Sequence, residues 1–327
     1  MPVQPSCQVI TEESSMDRHR LGKGGPEVSV VGYGAWEAGG DMWGPNESET
    51  IVIEAIRSAL DSGMTWIDTA EVYGDGRSEE LVGKAVADRR DGFLLFTKVA
   101  PRPAGSGFRS QEVKRAIRGS LSRLGVDHVD LYQLHWPDLS VPVEETWGAM
   151  AEVQDEGLAA HIGVSNFDRP LVERCLSIRH VDSVQNEFSL FHQDDRRRLL
   201  PRLDEQGVGY LAYGPLAFGL LTGAIKEDTT FHEQDWRSGT MGMGSYPRLF
   251  APRKRRENLQ KVERLRAIAQ RLGTELAPLA LRWVIQQQGV TAAIAGSRNP
   301  GHVRTNAAAG DLQLDADTLQ EIEAIFS

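Results

Sequence analysis

Cysteine is scarce: only Cys7 and Cys175 occur in 327 residues, so the chain has no disulfide framework and no closely spaced pair to hold a metal. That fits a reducing compartment, and the expected location is the cytoplasm. Long apolar runs are missing too, none approaching the ~18 residues that span a bilayer. The first twenty residues, MPVQPSCQVITEESSMDRHR, are polar and lack the apolar stretch of a secretory signal; they read as a flexible arm outside the folded unit. Basic charge is in deficit, the formal net charge being −10, which argues against a general nucleic-acid surface or an anionic membrane as partner while allowing a local basic pocket. Finally, no G-x-G-x-x-G lies between an early strand and a helix, the usual mark of an open, doubly wound dinucleotide fold. The near match GKGGPEVS at 22–29 precedes the first long strand and reads as a tight turn between two short strands capping a barrel bottom.

What is present is ordinary for a globular chain, with 40% hydrophobic and 25% charged residues, enough to bury a sizeable core. Apolar, β-branched runs recur at 30–35, 64–68, 93–99, 129–135, 160–165, 181–187, 208–214 and 290–296. Between them lie segments of helical spacing at 47–63, 77–90, 110–124, 143–157, 169–178, 194–206, 257–272 and 275–288. Asn46 and Glu49 have capping-box spacing, and Asp168 is a natural N-cap with Pro170 in the first turn. Eight strands alternating with helices imply parallel strands and right-handed crossovers. Closed on itself, that α/β pattern is a (β/α)8 TIM barrel, expected as a single domain over 21–327. The longest irregular stretch, 217–256, follows the seventh strand, and its GTMGMGSYP suits a mobile lid.

In such a barrel, chemistry gathers at the carboxyl ends of the strands. The second strand ends at Asp68 with Tyr73 just beyond, the third near Lys98 and the fourth at His135; Ser165 and Asn166, Gln185, Tyr213, and Gly296, Ser297 and Arg298 end or follow the later ones. Taken singly, Asp68 reads as a turn or cap, Tyr73 as packing, Lys98 as a snorkelling surface lysine and His135 as a core histidine. Taken together, the first four suit proton donation to a carbonyl. A tyrosine hydroxyl titrates near 10, a neighbouring lysine ammonium favours its phenolate, and an aspartate holds that lysine charged. None of these groups donates hydride, so a nicotinamide cofactor is the natural complement.

The segment WIDTAEVYGDGRSEELVGKAV resembles the aldo-keto reductase signature FIDTAxxYGxxxxEExxGxAL, and TK, DLYQLHWPD, GVSNF, QNEFSL, YGPLAFGLLTG and AGSRNP follow in family order, covering about residues 20 to 310. The resemblance, which extends to the potassium-channel β-subunit-like branch, implies NADPH-dependent reduction of an aldehyde or ketone. Tyr73 would be the general acid, Lys98 and Asp68 its tuning partners and His135 the substrate-orienting group. It also implies that Ser165, Asn166 and Gln185 hold the carboxamide and that Tyr213 stacks on the nicotinamide. Gly34, Ala35 and Trp36 would lie near cofactor and substrate. Gly214, Pro215, Leu216, Gly219 and Leu221 would pass the pyrophosphate, and Gly296, Ser297, Arg298, His302 and Asn306 would face the adenosine end. Thr305 stands where the family often has Glu, and Ala224 where it has Lys, with Lys226 two residues on; NADH use therefore stays open. The alternatives are a cofactor-binding regulatory subunit with little turnover and a Schiff-base aldolase built on Lys98. Asp68 speaks against the second, because it stabilises the ammonium when the nucleophile must be neutral.

Overall fold

The computed structural model describes residues 16–45, 47–101, 108–240 and 246–326. A two-stranded antiparallel hairpin, β1 (Arg18–Arg20) and β2 (Glu27–Ser29), precedes eight strands that close into a barrel. In chain order these are β3 (Val31–Gly34), β4 (Trp66–Asp68), β5 (Leu94–Val99), β6 (Val129–Leu134), β7 (Ala159–Ser165), β8 (Ser183–Glu187), β9 (Gly209–Tyr213) and β10 (Ala292–Ala295). Each pairs in parallel with its sequence neighbour, and β10 closes the ring on β3. Helices cover the outside while side chains fill the inside, so strands such as β10 are buried along their whole length and appear in the sequence as continuous apolar runs.

The hairpin caps the amino-terminal ends of the barrel strands. Leu21 and Val28 pack with Trp66, Phe96, Leu131 and Leu211 in a plug inside the barrel. The Trp66 indole N–H donates to the Ser29 carbonyl at 2.8 Å, and a Cβ on Gly32 would stand 2.1 Å from that ring, so only glycine admits it. The turn of GKGGPEVS closes where Leu21 N–H meets the Pro26 carbonyl at 2.9 Å. The arm expected over residues 1–20 does not extend to its end, because Arg18–Arg20 form β1 and Met16 is buried; residues 1–15 lie outside the described residues.

The helices depart from expectation mainly at their ends. Ser48 caps Glu49–Asp61, its hydroxyl accepting from Ile51 N–H, whereas Asn46 lies outside the described residues. Asp168 caps Arg169–Leu176 through Leu171 N–H at 3.1 Å, as its position suggests. The helix expected from 257 starts at Pro252, whose missing N–H is harmless in the first turn, so the basic stretch PRKRREN belongs to it. The helix expected over 194–206 is two pieces, Asp195–Arg198 and Leu200–Gln206, and Pro300–Ala307 and Ala316–Phe326 are further helices. In 217–256, residues 241–245 of the expected lid lie outside the described residues. The part before them is docked: Trp236 is fully buried, its N–H donates to the Met42 carbonyl at 3.0 Å, and Gly44 N–H donates to Gln234 at 3.3 Å. Among the described residues no helix is long and apolar enough to cross a membrane.

Candidate active site

The carboxyl rim brings together the four residues that the sequence separates by up to 67 positions, from Asp68 to His135. Asp68 closes β4, Lys98 lies near the end of β5, His135 follows β6, and Tyr73 sits on the loop after β4. Lys98 is wholly buried, its ammonium donating to the Asp68 Oδ1 and, at 2.9 Å, to the Thr69 carbonyl. The Tyr73 hydroxyl lies 3.4 Å from both Lys98 Nζ and His135 Nε2. One phenol thus touches a cation on one side and an imidazole on the other. Burial pushes the Lys98 ammonium below its ordinary value, while the Asp68 carboxylate and then Glu79 oppose the shift. Asp68 therefore works against desolvation to keep the Lys98 ammonium charged beside the phenol.

Gln185 makes a contact that the family expectation does not include. Its Nε2 donates to Asp68 Oδ2 at 2.8 Å, so the amide that was to meet a carboxamide also braces the carboxylate. Gln133, register partner of Lys98, lies 3.4 Å from the same oxygen, and the sequence reading missed it because a lone glutamine in a strand carries no signal. Asn166 adopts a left-handed backbone at φ +61, uncommon for any residue but glycine. Its amide donates to the His135 carbonyl at 2.8 Å and to Ser165 Oγ at 3.1 Å, and its oxygen accepts from the Tyr213 hydroxyl at 2.7 Å. Ser165, Asn166 and Tyr213 thus form one connected polar edge beside the four.

The Tyr73 loop is held by close backbone approach. Gly74 has φ +60, and a Cβ there would stand 2.3 Å from the Gly39 carbonyl. Gly74→Ala is expected to push the loop off the Trp36–Gly39 turn and to destabilise the fold by about 1–3 kcal/mol, read by chemical denaturation. Trp36 stacks beside Tyr73 at 6.1 Å between ring centroids, and Trp136, next to His135, is exposed at the mouth.

The resemblance assigns the strap after β9 to a pyrophosphate. Ala217, Phe218 and Gly219 all have positive φ, two of them bearing side chains, and such strain in a loop persists where surrounding structure fixes it for a purpose. Arg237 lies against it, donating to the Phe218 carbonyl at 3.2 Å, its guanidinium held by Asp235 at 2.9 and 2.6 Å and set between the Trp43 and Phe231 rings. The Ala217 and Gly219 N–H groups donate to the Gly214 and Leu216 carbonyls at 2.9 and 3.1 Å, so the strap is held by its own backbone, with Arg237 beside it. Sequence reasoning did not single out Arg237, one arginine in an irregular loop. Leu221 is fully buried in the core and its N–H donates to the Leu216 carbonyl at 3.1 Å, so its part in the strap is structural. At the end that the resemblance assigns to the adenosine, Arg298 donates to the Trp43 and Pro45 carbonyls at 2.8 and 2.9 Å, and Ser297 Oγ lies 3.4 Å from His302 Nδ1. Asn306 is buried nearby in Pro300–Ala307 while His302 is exposed. Glu37, also unforeseen, faces Arg298, Arg237 and His302; burial raises its carboxyl, and these cations oppose the rise.

The model of the aldo/keto reductase family matches residues 30–326, nearly the whole chain. The chain belongs to the aldo/keto reductase family. As a member of that family it is an oxidoreductase. It is 37% identical to the aldo-keto reductase YhdN of Bacillus subtilis over 92% of this chain and 91% of that one. Among solved structures it is similar to the glycerol dehydrogenase AKR11B4 of Gluconobacter oxydans, with a TM-score of 0.83, 29% identity and 94% of each chain covered. It is also similar to an aldo-keto reductase of Klebsiella pneumoniae solved with NADPH, with a TM-score of 0.74, 29% identity and 95% of each chain covered.

Proposed function

We propose that this chain reduces an aldehyde or ketone to an alcohol with NADPH, Tyr73 donating the proton to the carbonyl oxygen. The observation that carries the reading is the shared position of the Tyr73 hydroxyl, 3.4 Å from Lys98 Nζ and 3.4 Å from His135 Nε2. A carbonyl oxygen placed between the phenol and the imidazole accepts from both. Lys98 stabilises the phenolate left behind, and Asp68, braced by Gln185, keeps Lys98 available as a cation. Bound nicotinamide supplies the hydride that none of these side chains can give. Ser165, Asn166 and Tyr213 orient it at the edge beside Tyr73, while the strained strap with Arg237 seats the pyrophosphate. Trp36 lies against the Tyr73 ring and Trp136 against the His135 ring, giving the reacting centre an apolar edge on each side.

NADPH rather than NADH is the preferred cofactor in this reading, as the NADPH complex of the Klebsiella relative supports. Arg298 stands at the adenosine end with a guanidinium suited to a dianion. Arg298→Ala should weaken NADPH by about tenfold or more beyond any loss for NADH, since a charge-assisted bond is worth roughly 1.5–3 kcal/mol. Because Arg298 also braces the loop at Trp43 and Pro45, some loss is shared by both cofactors, and the difference in Kd isolates the phosphate. Equal losses would place recognition of the 2′-phosphate elsewhere. Turnover against aldehydes, ketones, quinones and sugars tests the activity itself.

A further inference from the structure

A second charged group lies on the outer side of the barrel wall, directly behind the rim residues. Thr97 and Tyr132 are register partners on β5 and β6 and face outward, on the side opposite their neighbours Lys98 and Gln133. Against them the helix Arg77–Val86 places Glu79, which is wholly buried. Its Oε1 accepts from Thr97 Oγ1 at 2.5 Å and its Oε2 from Arg123 Nε at 2.6 Å, the latter arriving from the helix Ser110–Leu124. Glu71, two residues before Tyr73, accepts the Ala100 N–H at 3.0 Å and lies 4.0 Å from Arg123 Nη2. Two carboxylates thus face one guanidinium, and the layer carries one net negative charge.

Burying such a group is a poor way to stabilise a fold, because desolvation offsets the attraction and an apolar filling of the same space does as well or better. Its position gives it another use. Thr97 adjoins Lys98 in the chain, and Glu71 shares the loop of Tyr73. We propose that Glu79, held by Thr97 and Arg123, is a positioning residue that sets the charge state of the Lys98–Tyr73 pair from behind the barrel wall. The inference rests on the reading of Tyr73 as proton donor.

The sign follows from the charges around the pair. Asp68 touches the pair from β4 and His135 from the end of β6, while Glu79 and Arg123 on the two helices, Glu71 on the loop after β4 and the buried Tyr132 hydroxyl on β6 lie on the outer side of the wall. Glu79 holds the proton on Lys98 in the same sense as Asp68, against burial. Burial, with Glu71 and Glu79, keeps Tyr132 protonated, so it adds no charge of its own. A neutral residue in place of Glu79 leaves the partly buried Arg123 with less compensation. The local field then becomes more positive, and both the Lys98 ammonium and the Tyr73 phenol lose their protons at lower pH.

The test uses the full chain with Glu79→Gln, Arg123→Gln and the pair, each with and without Tyr73→Phe. The difference in tyrosinate ultraviolet absorbance between each protein and its Tyr73→Phe counterpart gives the Tyr73 midpoint without any substrate. Glu79→Gln should lower that midpoint by on the order of one pH unit, Arg123→Gln should raise it, and the pair should return it toward the parent value. The basic limb of NADPH-dependent reduction should move with it. An unmoved midpoint in folded Glu79→Gln, or equal shifts in the single and paired variants, overturns the inference; the second outcome marks packing damage instead of charge. Should Glu79→Gln fail to fold, the upward shift in Arg123→Gln stands as the independent arm. A parent chain that reduces no carbonyl, with midpoints that move as stated, overturns the proposed function and leaves this inference intact.

Discussion

Tyr73→Phe lowers carbonyl reduction by about 10²–10⁴-fold, the usual contribution of a positioned general acid, and leaves the affinity for NADPH unchanged. The substitution removes one oxygen and little else. The phenyl ring still stacks beside Trp36, and Lys98 keeps its bonds to Asp68 and the Thr69 carbonyl. Stopped-flow reduction of a reactive aldehyde, with cofactor binding followed by fluorescence, separates the two effects. Near-parental rates would move the proton donor elsewhere, and lost cofactor affinity would mean that the ring is part of the cofactor seat.

Lys98→Met is expected to cost comparable activity and, unlike Tyr73→Phe, to destabilise the fold by roughly 3–5 kcal/mol, because it strands a buried carboxylate. Asp68 would retain only the neutral donors Gln185 at 2.8 Å and Gln133 at 3.4 Å. Adding Asp68→Asn removes the stranded charge, so the double variant should recover most of the stability and none of the turnover. Urea denaturation and the aldehyde assay read the two quantities independently. A Lys98→Met protein as stable as the parent would show that Asp68 is neutral in the native state, contrary to its role as the partner that keeps Lys98 charged.

Most of the barrel was legible because parallel strands buried on both faces leave an unmistakable trace. VTAAIAG and FLLFTKV are largely apolar on both faces, with Thr97 and Lys98 the exceptions at the rim end of the second, and the observed strands Ala292–Ala295 and Leu94–Val99 fall inside them. Ends were less legible: Ser48 and Asn46 are both acceptable caps, and only the path of the chain selects Ser48. The helix Pro300–Ala307 is short and weakly amphipathic, so periodicity could not find it. Trp236 looked like part of a loose loop, yet it is fully buried against the 42–44 turn, a long-range contact with no local signature.

The candidate site divides in the same way. Asp68, Tyr73, Lys98 and His135 were legible because strand ends of a barrel converge on one rim, so four positions in sequence predict one place in space. The Gln185 bond to Asp68 was not, since it joins β8 to β4 across the barrel interior. Glu79 and Arg123 were hidden for another reason. Each is an ordinary charged residue on an amphipathic helix, and only the closed barrel shows that they meet behind Lys98.

The central claim is tested most directly by incubating the chain with NADPH deuterated at the transferable position of the nicotinamide and a panel of aldehydes and ketones, then analysing the products by mass spectrometry and NMR. The account predicts an alcohol bearing one deuterium on the former carbonyl carbon, formed in proportion to the NADPH consumed and abolished with Tyr73→Phe. A chain that binds NADPH but yields no deuterated alcohol from any member of the panel would contradict it and favour a cofactor-binding role without turnover.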